Sequence, residues 1–117
     1  MMEIGHIELF VTDTMKSLTF YRDILGFSVE AVQNDTFVWM SSGDVTLLLR
    51  PGNNTFNQAE YKLYPQGIVL YTDDLDTMRE ELTKRGLTFL GTDGSPRCLT
   101  FTDLDGHWFQ LVNPNEH

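Results

Sequence analysis

The chain repeats itself, and the repeat limits what it can fold into. HIELFVTDTMKSLTFYRDILGF, which starts at His6, returns in worn form as GIVLYTDDLDTMREELTKRGLTF from Gly67. Sixty-one residues separate His6 from Gly67 and Asp13 from Asp74, and 60 separate Gly26 from Gly86. In the first copy Ile7, Leu9 and Val11 alternate with His6, Glu8 and Phe10, the period of a strand. Asp13 or Thr14 then opens a helix over 15–25, where Met15, Leu18, Tyr21, Ile24 and Leu25 take helical spacing and Gly26 ends it. The second copy alternates from Ile68 to Thr72, opens a helix at Asp73-Asp74 and closes it at Gly86. A duplicated strand-helix unit governs the fold, and 117 residues are enough for one shared core but not for two independent ones.

Turn signals complete each copy. In the first, strands are expected over 3–12, 27–32, 36–41 and 45–50, with turns at Asn34-Asp35 and Gly43-Asp44. Residues 51–66, PGNNTFNQAEYKLYPQ, break the pattern as a link that can fold over a site, with Phe56, Tyr61 and Tyr64 as apolar anchors. In the second copy, strands are expected over 67–72, 87–91, 98–102 and 107–112. Asp103-Leu104-Asp105-Gly106 forms the last tight turn. The organisation is therefore one domain, with module one at 3–50, a link at 51–66 and module two at 67–113.

Composition excludes several classes. Hydrophobic content of 41% and charged content of 21% are ordinary globular values. No apolar run approaches the ~18 residues that span a bilayer, and MMEIGHIEL does not read as a signal peptide. The net charge of −9, with Lys and Arg scattered, makes nucleic acid a poor partner, and no membrane partner is expected. The lone Cys98 allows no intrachain disulfide and suits a cytoplasmic location.

With its two βαβββ modules, its FYRDILGF block and its closing FTDLDGHWFQLVNP, the chain resembles the vicinal oxygen chelate superfamily of glyoxalases, bleomycin-resistance proteins and extradiol dioxygenases over essentially its whole length. The resemblance implies an α+β fold in which two modules form a curled, cup-shaped mixed sheet with helices outside and a ligand site inside. It also implies four metal ligands, one from the first and one from the last strand of each module. Matched through the repeat and the turns, those positions fall on His6, Leu47, Gly67 and Gln110. Leu47 and Gly67 offer no side-chain donor, and a divalent ion normally wants three or more. If a metal (Zn, Ni, Mn or Fe) binds at all, His6 and Gln110 hold it, with Glu8 the one added donor on the face of His6.

No other constellation competes. Arg97 is the only basic neighbour of Cys98, which reads as a small strand residue. Ser41-Ser42 falls in a turn and not in a nucleophile elbow, and Gly91-Thr92-Asp93-Gly94 lacks the spacing and lysine of a phosphate loop. His107 reads as a surface residue at a strand start, and His117 is the last residue.

What remains is an apolar, aromatic cup. Glu8, Phe10, Val69 and Tyr71 are expected to face inward from the opening strands, and Leu47, Leu49, Trp108 and Gln110 from the closing strands. Trp39 suits either face. Rings with a few polar groups are what an organic guest needs, and Glu8 favours a planar or cationic one. The expected function is metal-independent small-molecule binding by a homodimer, as in the drug-sequestering branch that the chain resembles, with no cofactor. The rivals are a metal-dependent lyase, isomerase or dioxygenase using His6 and Gln110, and a metal-free enzyme with Glu8 or His6 as general base.

Overall fold

Asp13 and Asp74 do the same work in a computed structural model of the chain, which describes residues 1–53 and 57–116. Each is an extended residue whose carboxylate accepts the backbone N–H three residues on, from Lys16 at 3.1 Å and from Thr77 at 3.0 Å. Such a cap satisfies a donor that the first helical turn leaves unpaired. The capped helices are α1 (Thr14–Thr19) and α2 (Leu75–Lys84). They end differently. Helix α1 widens into π turns over Phe20–Ile24, where the Leu25 N–H donates to the Phe20 carbonyl at 3.2 Å. That wide turn holds one extra residue, which is why the glycines lie 60 apart while the caps lie 61 apart. Gly26 (φ 76°) and Gly86 (φ 107°) then take the left-handed conformation that lets the chain leave the helix.

The chain divides into two compact units between residues 55 and 56. Among the described residues, the first holds β1 (Ile7–Val11), β2 (Ser28–Gln33), β3 (Phe37–Ser42) and β4 (Val45–Pro51) in the order β1-β4-β3-β2, with β1 parallel to β4 and the rest antiparallel. The second holds β5 (Ile68–Tyr71), β6 (Gly91–Thr92), β7 (Leu99–Thr102) and β8 (Trp108–Val112) in the equivalent order β5-β8-β7-β6. Two mixed four-stranded sheets with flanking helices make an α+β protein, and the internal repeat is a repeat of topology. The turn at Asn34-Asp35 forms with both residues at positive φ (54° and 52°), the mirror-image hairpin turn that matches strand twist.

Register decides which side chains each sheet buries. In the first unit Leu9, Val11, Val38, Met40, Leu47 and Leu49 share one face and are buried, and α1 contacts β3 and β4. In the second, Leu99, Phe101, Phe109 and Leu111 form the buried face. There the Phe101 and Phe109 rings stack 5.2 Å apart, with Phe89 edge-on to Phe101 at 5.8 Å.

Three expected elements shift. The first strand spans Ile7–Val11, not 3–12, because its parallel partner pairs only from Leu47. The strand expected over 87–91 shrinks to Gly91–Thr92: Leu87 is spent closing α2, its N–H donating to the Leu82 carbonyl at 3.0 Å. Ser41-Ser42 ends β3 and does not form a turn. Among the described residues no helix is long and apolar enough to cross a membrane.

Candidate functional site

The open face of the first sheet carries one connected polar group. His6 Nε2 lies 2.8 Å from Glu8 Oε2, and Glu8 Oε1 accepts from Arg50 Nη1 at 3.1 Å. Strand alternation puts His6, Glu8 and Phe10 on one side, and pairing of Glu8 with Leu48 and of Phe10 with Arg50 extends that side onto β4. Trp39 is opposite Leu48 and so joins it, its ring edge-on to His6 at 4.9 Å. The Arg50 guanidinium lies 5.4 Å from the centres of both Phe10 and Phe37, a double cation–π contact that fixes the head group.

Leu47 and Leu49, expected here, point the other way into the core. The reason is a one-residue slip. Glu8 pairs with Leu48 as Val69 pairs with Gln110, so Leu48 and not Leu47 is the counterpart of Gln110. The β3–β4 turn occupies only residues 43–44, whereas the β7–β8 connection occupies 103–107, so counting from the turns loses register and exchanges the faces. Arg50, hidden by the same slip, is the residue this face gains.

Glu8 is held below the ordinary glutamate range, first by its hydrogen bond to His6 and then by that to Arg50. A lowered folded pKa stabilises the fold above the unfolded value, and that contribution is lost as the pH falls through the lowered one. A carbon-detected NMR titration is expected to show the Glu8 carboxyl titrating below ordinary glutamates, with Arg50→Gln moving its midpoint up. An ordinary midpoint in the native protein contradicts this network.

In the second unit the open face carries Val69, Tyr71, Thr100, Trp108 and Gln110. Val69 and Tyr71 are exposed, whereas Trp108 is 3% exposed because the link covers it. The indole N–H of Trp108 donates to the Gln58 carbonyl at 3.1 Å, and Tyr61 sets its ring edge-on to Trp108 at 6.2 Å. The Tyr64 hydroxyl lies 2.8 Å from His107 Nδ1. His107 is therefore not a surface residue: it is 7% exposed, under Tyr64. Tyr61 and Tyr64 anchor the link as expected, while Phe56 and His117 lie outside the described residues.

Beside this strap opens a cleft of about 320 Å³ lined by Tyr61, Leu90, Thr92, Asp93, Thr100 and Trp108, among others. That is the lower end of the range for small-molecule sites. Gln110 reaches Asp93 with its amide, Nε2 to Oδ2 at 3.4 Å. Apart from Trp108, none of these lining residues stands out as a site residue in the sequence. Thr100, opposite Gln110 in the ladder, is the one that strand pairing could have revealed.

The residues fit a divalent metal poorly. An ideal Cβ at Gly67 would lie 2.6 Å from Tyr61 Cζ and nearer still to the hydroxyl, so the phenol fills the space that a side chain at 67 would need. Gln110 is engaged with Asp93 and His6 with Glu8. Among the described residues no three His, Cys, Asp or Glu side chains gather where they could hold a metal ion.

Residues 3–111 match the family model described as Glyoxalase/Bleomycin resistance protein/Dioxygenase superfamily. Metallothiol transferase FosB of Staphylococcus haemolyticus is 30% identical over 113 residues, covering 92% of this chain and 81% of its own. The crystal structure of TnmS3, an antibiotic binding protein from Streptomyces sp. CB03234, is similar with a TM-score of 0.72 and 26% identity, covering 97% of this chain and 99% of its own. FosX, a fosfomycin resistance protein from Listeria monocytogenes solved with Mn(II) and sulfate, reaches a TM-score of 0.77 at 16% identity over 97% and 90%, a likeness of fold.

Proposed function

The chain belongs to the glyoxalase/bleomycin resistance protein/dioxygenase superfamily, and we propose that this member binds a small organic molecule without a metal ion, using the cleft of its second unit. One observation carries the reading: the Tyr61 phenol lies over Gly67, in the space a ligating side chain would need. The cleft that results has aromatic walls and a carboxylate at its edge, suited to an aromatic or cationic guest. Binding itself is the function and sequestration its use, in a cytoplasmic homodimer on the pattern of the sequestering branch. The likeness to an antibiotic binding protein supports this direction.

A second reading has kinship in its favour. The name of the 30% identical relative, a metallothiol transferase, points to a metal-dependent enzyme acting on a small molecule, and by names alone this alternative is the stronger. The donors of this chain weigh against it. Screening aromatic and cationic compounds by thermal shift, with and without EDTA, separates the two. A true ligand at about 100 times its Kd is expected to add ~2.7 kcal/mol of stability, equally in both buffers. Stabilisation that EDTA removes would favour the metal-dependent enzyme.

A further inference from the structure

The cleft of the second unit holds unspent polar groups of two kinds. Thr100 is 2% exposed and lines the cleft, and its hydroxyl has no hydrogen-bond partner among the described residues. Among the described residues the buried polar side-chain atom left without a partner is Arg50 Nε, not Thr100 Oγ1, so the Thr100 hydroxyl opens onto the cleft, where a guest can reach it. It stays in reach of the cleft because its strand partner across β6 is Gly91, whose missing side chain leaves Thr100 Oγ1 3.7 Å from an ideal Cβ there. The Tyr61 hydroxyl likewise has no partner among the described residues. Both are donors. Asp93 is the opposite kind: its carboxylate accepts only, and one oxygen is steadied by Gln110. Charge adds a sign, since Asp93 and Glu60 outnumber Lys62 in the lining, so an anionic guest is repelled.

From these groups we infer the ligand class of the site, an inference that rests on the proposed binding role: a planar aromatic compound bearing an uncharged carboxamide-like group, a carbonyl oxygen beside an N–H. The ring lies against Trp108 and Leu90. The carbonyl oxygen accepts from Thr100 and Tyr61, and the N–H donates to Asp93. A site that matches buried donors and acceptors discriminates most sharply against a guest that leaves one of them unpaired. Replacing the amide by a carboxylate of the same shape removes the donor and sets a negative charge against Asp93.

The test uses 2-naphthamide and 2-naphthoate, which share a ring and differ in that one group. Binding is followed by calorimetry and by amide chemical shifts on the whole chain. The amide is expected to bind at least 10-fold more tightly than the carboxylate, with shifts centred on Asp93, Thr100 and Trp108. Asp93→Asn should collapse that preference to within about 3-fold. Thr100→Val, nearly the same shape, should weaken the amide about 10-fold while leaving the spectrum folded. Equal or tighter binding of 2-naphthoate overturns this ligand class and leaves the cleft as a binding site. An unchanged preference in Asp93→Asn also overturns it. If neither compound binds at millimolar concentration, both the class and the assignment of the cleft fall.

Discussion

Gly67→Ala is expected to destabilise the protein by about 1–3 kcal/mol, the usual cost of forcing extra volume into a filled site, although the position itself is permissive. Gly67 is not among the glycines at positive φ, so its backbone admits an alanine. What does not admit it is Tyr61, whose ring and hydroxyl occupy the volume of the new methyl group. The ring must swing away and give up its edge contact with Trp108. Removing the ring first reverses the sign. In a Tyr61→Ala background the same substitution should stabilise by ~0.4–1 kcal/mol, because alanine narrows the unfolded ensemble more than glycine does. Denaturant melts of the four proteins in this double-mutant cycle measure the coupling directly. Stabilisation by Gly67→Ala in both backgrounds would show that Tyr61 does not fill the site.

Phe101→Ala is expected to cost more, about 3–5 kcal/mol, the range for deleting a buried aromatic ring. Phe101 is fully buried and joins the β7 and β8 layers, stacked on Phe109 with the rings only 6° from parallel and braced edge-on by Phe89. Its loss opens a void that two neighbouring rings cannot collapse into without leaving their own positions. Against a typical total of about 5–15 kcal/mol, that brings the second unit near its unfolding threshold. Urea melts followed by circular dichroism should show the drop, with Phe101→Leu, which leaves a smaller void, costing less than the alanine. A cost below 1 kcal/mol for the alanine would mean that the stack is not the centre of this core.

The sequence carried the topology because the repeat carries it. Asp13 and Asp74 cap, Gly26 and Gly86 terminate, and Asn34-Asp35 turns, each for a reason confined to a few neighbouring residues. The family followed from the same blocks. The faces of β4 were not legible, because Leu47-Leu48-Leu49 has no alternation and both assignments bury leucines. Only the pairing of Glu8 with Leu48 settles it and brings Arg50 to the open face. His107 is hidden by Tyr64, 43 residues earlier, a meeting that no local pattern announces. Gly67 shows in the sequence that a donor is missing, but not that Tyr61 takes its place. Thr100 and Asp93 line the cleft through the short β6–β7 pairing, where the sequence suggested a longer and different strand.

The measurement that bears most directly on metal-independent binding is a calorimetric titration of chelator-stripped protein with zinc, nickel, manganese(II) and iron(II). In the first unit His6 is engaged with Glu8, and in the second Gln110 is engaged with Asp93 and Tyr61 lies over Gly67. Among the described residues neither unit offers three donors, which predicts no stoichiometric binding of any of the four at tens of micromolar. Near-stoichiometric binding of one of them, abolished in His6→Ala, would contradict the account and establish the metal-dependent reading in its place.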